Sequence, residues 1–237
     1  MNRIFLKLNL VTLLFAAFVS PVGAFAYSFD NDVPPTIREQ ITQDMAFMAG
    51  LAGGAASDLH KEIFAPSIDG NSYRNFFESR VTAVGMNGCG SAKAVACVIP
   101  FMDSSKIWLT QNYVKFSHPQ IAKMMVIFHE ARHTEDAHGN WSHATCPRPF
   151  VDADGKEIKS IWTGSTLAGE AACDSTAYGS YASSMILLKN ISKFCTNCTD
   201  KVKMDAGIYA DDQFKRVIDR ASVQAIKKDL YQAVTAL

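Results

Sequence analysis

Five consecutive residues carry the clearest chemistry in this chain: His129-Glu130-Ala131-Arg132-His133, an H-E-x-x-H spacing. On a helix, a rise of about 1.5 Å per residue puts two histidines four apart on one face, about 6 Å apart along the axis. Two such imidazoles can meet on one Zn²⁺ with Zn–N near 2.0–2.1 Å. Glu130 is rotated by roughly 100° around the axis, so its carboxylate stays off the metal but reaches a metal-bound water. Carboxylate plus activated water is the chemistry of metal-assisted amide hydrolysis. The alternative is a surface helix with two unrelated histidines. It fits poorly with the apolar run Ile121-Ala122-Lys123-Met124-Met125-Val126-Ile127-Phe128 just upstream, which predicts a buried helix whose polar residues need partners.

A catalytic zinc keeps three protein ligands and one open position. The candidates for the third are His138, His143, Cys146 and Glu170. The pattern H-E-x-x-H-x-x-G-x-x-H is absent, because Asp136 and Gly139 stand where its glycine and third histidine would fall. His138 is expected at the exposed end of the helix, where a cation suits the dipole. His143 is close enough in sequence to act as a ligand or as a transition-state donor. Cys146 is expected in a disulfide. Glu170 and Asp174 share a face if their segment is helical, and small apolar neighbours would let it approach the first helix closely. Glu170 is therefore the expected third ligand. Asp174 is expected to accept the free N–H of a ligating imidazole. Arg132 points away from the histidines and is expected to make exposed ion pairs with Glu135 and Asp136.

These motifs resemble the gluzincin branch of zinc metallopeptidases, the thermolysin-like group: His129-Glu130-x-x-His133 followed by Glu170-x-x-x-Asp174, over about residues 94–188. The resemblance implies a zincin-like fold, zinc on His129, His133 and Glu170, Glu130 as general base and Asp174 behind the ligands. It also implies an edge strand that holds extended substrate. The cysteine- and proline-containing loop between the motifs has no counterpart in that group, and no downstream residue is clearly its oxyanion donor. His143, Tyr178 and Tyr181 are the candidates.

The elements that must position these groups are legible in outline. Pro34-Pro35 opens a helix carrying Ile37, Ile41, Met45, Met48 and Leu51 at helical spacing, closed by glycines at 50, 53 and 54. Short helices are expected over 56–64 and 73–79. Residues 94–101 and 106–110 read as an antiparallel hairpin around Asp103-Ser104-Ser105. Ser117 and Gln120 form a capping-box pattern, with the H-E-x-x-H helix running on to about Gly139. Residues 139–160 read as irregular or a small ribbon. Two long helices are expected, over about 165–188 and 210–234. The expected class is α+β and mostly helical, with a small antiparallel sheet packed on the H-E-x-x-H helix and a helical lobe after about residue 139.

The N-terminus, with Arg3, Lys7, an apolar run over 11–19 and Ala24-Phe25-Ala26, reads as a signal peptide over 1–26. The apolar run is too short for a membrane span. One domain over 27–237 remains, long enough for a substantial core. The chain balances 23 basic against 23 acidic residues, and losing Arg3 and Lys7 leaves it weakly acidic. With no Lys/Arg-rich run, nucleic acid is not an expected partner. Six cysteines in an exported chain point to disulfides. Local pairing gives Cys89–Cys97 and Cys195–Cys198, leaving Cys146–Cys173 to pin the loop after the active helix. The expected function is a secreted or periplasmic, monomeric zinc peptidase acting on peptides or proteins. The alternative is an exported, disulfide-stabilised binding or envelope-interaction protein with a structural or vestigial zinc.

Overall fold

The computed structural model describes residues 26–232. The segment read as a signal peptide, residues 1–26, lies outside them apart from its last residue. The chain is an α+β fold. After the short strand β1 (Ser28–Phe29) come α1 (Pro35–Ala49), α2 (Asp58–Ile63) and α3 (Gly70–Glu78). Strands β2 (Ala83–Met86) and β3 (Ala96–Ile99), a helical turn α4 (Pro100–Asp103), strand β4 (Ser104–Leu109) and the short α5 (Gln111–Lys115) follow. Helix α6 (Gln120–His133) carries the H-E-x-x-H residues. Beyond it lie β5 (Ala144–Thr145), β6 (Ala171–Cys173), α7 (Ser180–Phe194), α8 (Asp200–Phe214) and α9 (Arg220–Ile226). Among the described residues no helix is long and apolar enough to cross a membrane.

The hairpin expected before α6 is present, with Ala96 opposite Leu109 and Val98 opposite Ile107. The rest of its sheet is not antiparallel as expected. The order is β1-β2-β4-β3, and β1–β2 and β2–β4 are parallel pairs. Parallel pairing needs a crossover between strands, and the helices between β1 and β2 supply one. β3 is left as an edge strand whose second side is unpaired within the sheet.

Helix α6 lies at the centre of the molecule and is buried on nearly every side, from Ile121 to Arg132. Its start differs from the expected capping box. Pro119 flanks the first turn without a side-chain cap. Gln120 instead donates to Asp44 Oδ1 (2.8 Å), tying α6 to α1. Arg132 is buried rather than exposed. It donates to both Glu135 oxygens and to the Tyr178 carbonyl, and lies under the Trp141 ring.

The two expected C-terminal helices also differ. The first begins at Ser180, not near 165. Gly164 and Gly169 take positive φ, and residues 171–173 form β6 against β5, so their backbone is committed to a ladder. The second is split into α8 and α9, because Val217 bridges to Asp174: the Asp174 N–H donates to the Arg216 carbonyl (2.8 Å) and Ile218 N–H to the Asp174 carbonyl (2.9 Å). The main core draws on residues from Tyr27 to Leu230. A smaller one surrounds the Cys146–Cys173 bridge with Phe150, Ile158 and Leu167. All three expected disulfides are present.

His60 provides a stability test away from the H-E-x-x-H residues. It is fully buried between the Ala65 carbonyl and the Tyr73 hydroxyl, each 2.8 Å away. Burial pushes its pKa down to about 4. The folded state holds it neutral while the unfolded chain protonates near pH 6.5. Stability is therefore full above pH 6.5 and falls as the pH drops toward 4, by about 3 kcal/mol from this group. His60→Gln should flatten that part of the stability-versus-pH curve measured by urea unfolding. An unchanged acid slope contradicts the assignment.

Candidate metal centre

Helix spacing alone brings His129 and His133 together: their Nε2 atoms are 3.2 Å apart. The third nitrogen comes from the chain's return after α6. Gly139, Asn140 and Trp141 all take left-handed backbone conformations, a costly run for the two non-glycine residues. It is held by local bonds. Asn140 donates its side-chain amide to the His133 carbonyl (3.0 Å) and to Asp136 (2.6 Å), and the Trp141 indole donates to Glu135 (2.7 Å). This reversal carries His143 back over the helix face. Its Nε2 stands 3.2 Å from that of His129 and 3.1 Å from that of His133.

Each imidazole is oriented by an acceptor at its other nitrogen. His133 Nδ1 faces the Asn140 carbonyl (2.7 Å), His143 Nδ1 faces Asp174 Oδ1 (3.2 Å), and His129 is held by the Ser180 backbone. Those acceptors place the protons on Nδ1, so three Nε2 lone pairs converge with no donor among them. Three acceptors about 3.2 Å apart are satisfied by a cation. Two nitrogens at 2.0–2.1 Å from a tetrahedral ion would stand roughly 3.3 Å apart, close to what is seen. Burial keeps His129 and His133 neutral and ready to ligate. It is the largest cause holding His129 well below its ordinary pKa and His133 down to about 4, and the neighbouring imidazoles add to it. Among the described residues, no other group of three His, Cys, Asp or Glu converges in this way.

Asp174 is 2 % exposed. Besides bonding His143, its second oxygen accepts from the Ala182 N–H (2.9 Å), so one carboxylate caps the first turn of α7 and aims a ring of the cluster. Gly179 makes this possible, because a Cβ there would lie 2.4 Å from the carboxylate. The Cys146–Cys173 bridge ties the His143 loop to the residue just before Asp174, as the cysteine spacing suggested.

The cluster forms part of the wall of a cleft of about 570 Å³, which the edge strand β3 and Tyr181, Gln213 and Arg216 also line. Glu130 also lines it. Its side chain is buried and its Oε2 has no hydrogen-bond partner among the described residues. Burial alone pushes its pKa up to about 8.

Glu170, the expected third ligand, is not part of the cluster. It precedes β6 rather than lying on a helix, so the one-face argument linking it to Asp174 does not apply. Its side chain is 41 % exposed and paired with Lys93 (2.7 Å), whose ammonium holds the carboxyl below the usual range. It lines the same cleft. Tyr178 is turned away: its hydroxyl bonds Glu62, and it borders a separate depression with Arg80 and Trp141. Tyr181 is close, its ring centroid 4.4 Å from those of both His129 and His143. Sequence reasoning missed Arg216, whose guanidinium lies 4.4 Å from the Tyr181 ring centroid. Nothing in its local sequence signals the role, since the Asp174–Val217 bridge places it. Comparison with protein-family models, curated proteins and solved structures gave no match.

Proposed function

We propose that this chain is an exported zinc-dependent peptidase, with His129, His133 and His143 as the metal ligands and Glu130 as general base. The observation that carries this reading is the convergence of three donor-free imidazole nitrogens on the wall of a cleft, beside a buried carboxyl with an oxygen that bonds nothing. Zinc, when bound, supplies Lewis acidity toward a scissile carbonyl and toward water. The chain's own groups do the rest. Asp174, Asn140 and Ser180 hold the rings in place. Glu130, buried in the same cleft wall with an oxygen that bonds nothing, is placed to take a proton from water and return it. Tyr181 stands against the imidazoles, where its hydroxyl is a candidate donor to a developing oxyanion.

Two features favour a reactive site over a purely structural one. The cluster has three protein donors, whereas a structural zinc takes four. The cleft also runs along β3, whose unpaired edge suits an extended peptide adding as a further strand. The likeness to gluzincins rests on the H-E-x-x-H residues alone, since Glu170 lies outside the imidazole cluster. The three disulfides fit an oxidising compartment.

The test is digestion of a mixed peptide library by protein stripped with chelator and then restored with zinc. Cleavage is expected only after restoration. Equal cleavage before and after, or none with zinc bound, contradicts the reading.

A further inference from the structure

Arg216 poses a problem that the proposed chemistry leaves unsolved. It is 6 % exposed and lines the cleft, yet no carboxylate lies within 4 Å of its guanidinium among the described residues, and its Nε has no hydrogen-bond partner there. Its close partner is Tyr181: the guanidinium lies 4.4 Å from the ring centroid and donates to the hydroxyl, an uncharged partner. Asp212, on the preceding turn, is an acidic group that acts on it: burial raises the Asp212 pKa and the Arg216 charge opposes that rise, but the two form no ion pair within 4 Å, and one Asp212 oxygen accepts from the Gln213 amide (3.0 Å). An arginine withdrawn from water without an ion pair is costly to the fold. Such a group in a cleft wall is suited to an anion, and its planar fork matches a carboxylate.

Position narrows the ligand. Tyr181 stands between the two groups, 4.4 Å from the Arg216 guanidinium and 4.4 Å from the His143 ring. Arg216 therefore lies within roughly 9 Å of the imidazole cluster, a span of two or three residues of extended chain at about 3.3 Å each. Gln213 lines the same wall and adds an uncharged amide.

We propose that Arg216 anchors a carboxylate subsite, so that preferred substrates present a carboxylate within two or three residues of the bond to be cut. This rests on the peptidase reading of the same cleft. The carboxylate has two sources, a free C-terminus or an Asp or Glu side chain. The first makes the enzyme one that trims chain ends, and the second one that selects acidic sequences.

The experiment uses zinc-loaded protein carrying Glu130→Gln, so that binding is read without turnover. Calorimetric titrations compare a short peptide acid with its C-terminal amide, and an amidated peptide containing Glu with its Gln counterpart. At least one acidic member should bind about 10- to 100-fold more tightly than its neutral twin. Adding Arg216→Gln should bring that ratio to about one. If this variant does not fold, Arg216→Lys, which keeps charge but loses the fork, should reduce the ratio several-fold. A merely structural arginine would weaken acid and neutral peptides alike and leave the ratio unchanged, which overturns the subsite. Equal binding of acidic and neutral peptides overturns it while leaving the peptidase reading intact. Binding of neither removes both.

Discussion

Glu130→Gln is expected to keep its zinc and lose its activity. Glutamine fills the same buried space between α6 and the cleft but cannot accept and return a proton. General acid–base catalysis of this kind contributes about 10²–10⁴-fold, and the loss in kcat should fall in that range. Metal content should stay at the wild-type level, because Glu130 is not among the three converging donors. Elemental analysis beside a peptide-cleavage assay checks both halves. A variant that cleaves at the wild-type rate removes Glu130 from the mechanism. A variant that loses zinc makes it a ligand instead.

His143→Ala is expected to have the largest effect on the metal. It removes a whole ligand and strands Asp174, whose Oδ1 faces His143 Nδ1 at 3.2 Å. Losing an outer partner of a ligand costs about 10–100-fold in affinity, so loss of the ligand itself should cost on the order of 10³-fold or more. Glu170→Ala should change zinc affinity by no more than about 2-fold, since that carboxylate pairs with Lys93 at the mouth of the cleft. The same contrast should appear in thermal unfolding. Each tenfold loss of affinity removes about 1.4 kcal/mol of ligand-linked stability at saturating zinc. Competition against a chromophoric chelator measures both variants, and a Glu170→Ala defect equal to that of His143→Ala contradicts the assignment.

The parts of this molecule legible in its sequence are those fixed by short-range pattern. The helical spacing from Ile37 to Met48 and the buried run before His129 became α1 and α6, with Leu51 just past the end of α1. The paired apolar runs around Asp103 became the β3–β4 hairpin. The three disulfides followed from proximity in the chain and from elimination. What was not legible depends on contacts between distant segments. Residues 165–179 are rich in small residues that suit a helix, but the Cys146 N–H donates to the Glu170 carbonyl and Gly169 N–H to the Cys146 carbonyl, which draws the segment into a ribbon. That contact takes Glu170 off a helix and leaves Asp174 to reach the histidines alone. His143 was a candidate donor or ligand. Its place was set by the left-handed turn at Gly139-Asn140-Trp141, for which no spacing rule exists. Arg216 reached the cleft because Val217 bridges to Asp174, a pairing that no periodicity encodes.

The chemistry of the cleft depends on the ligand set. X-ray absorption at the zinc edge of the loaded protein measures that set directly. It should show three imidazole nitrogens and no protein carboxylate, with a spectrum unchanged by Glu170→Ala. Two imidazoles and a carboxylate, with the carboxylate signal lost in Glu170→Ala, would contradict it.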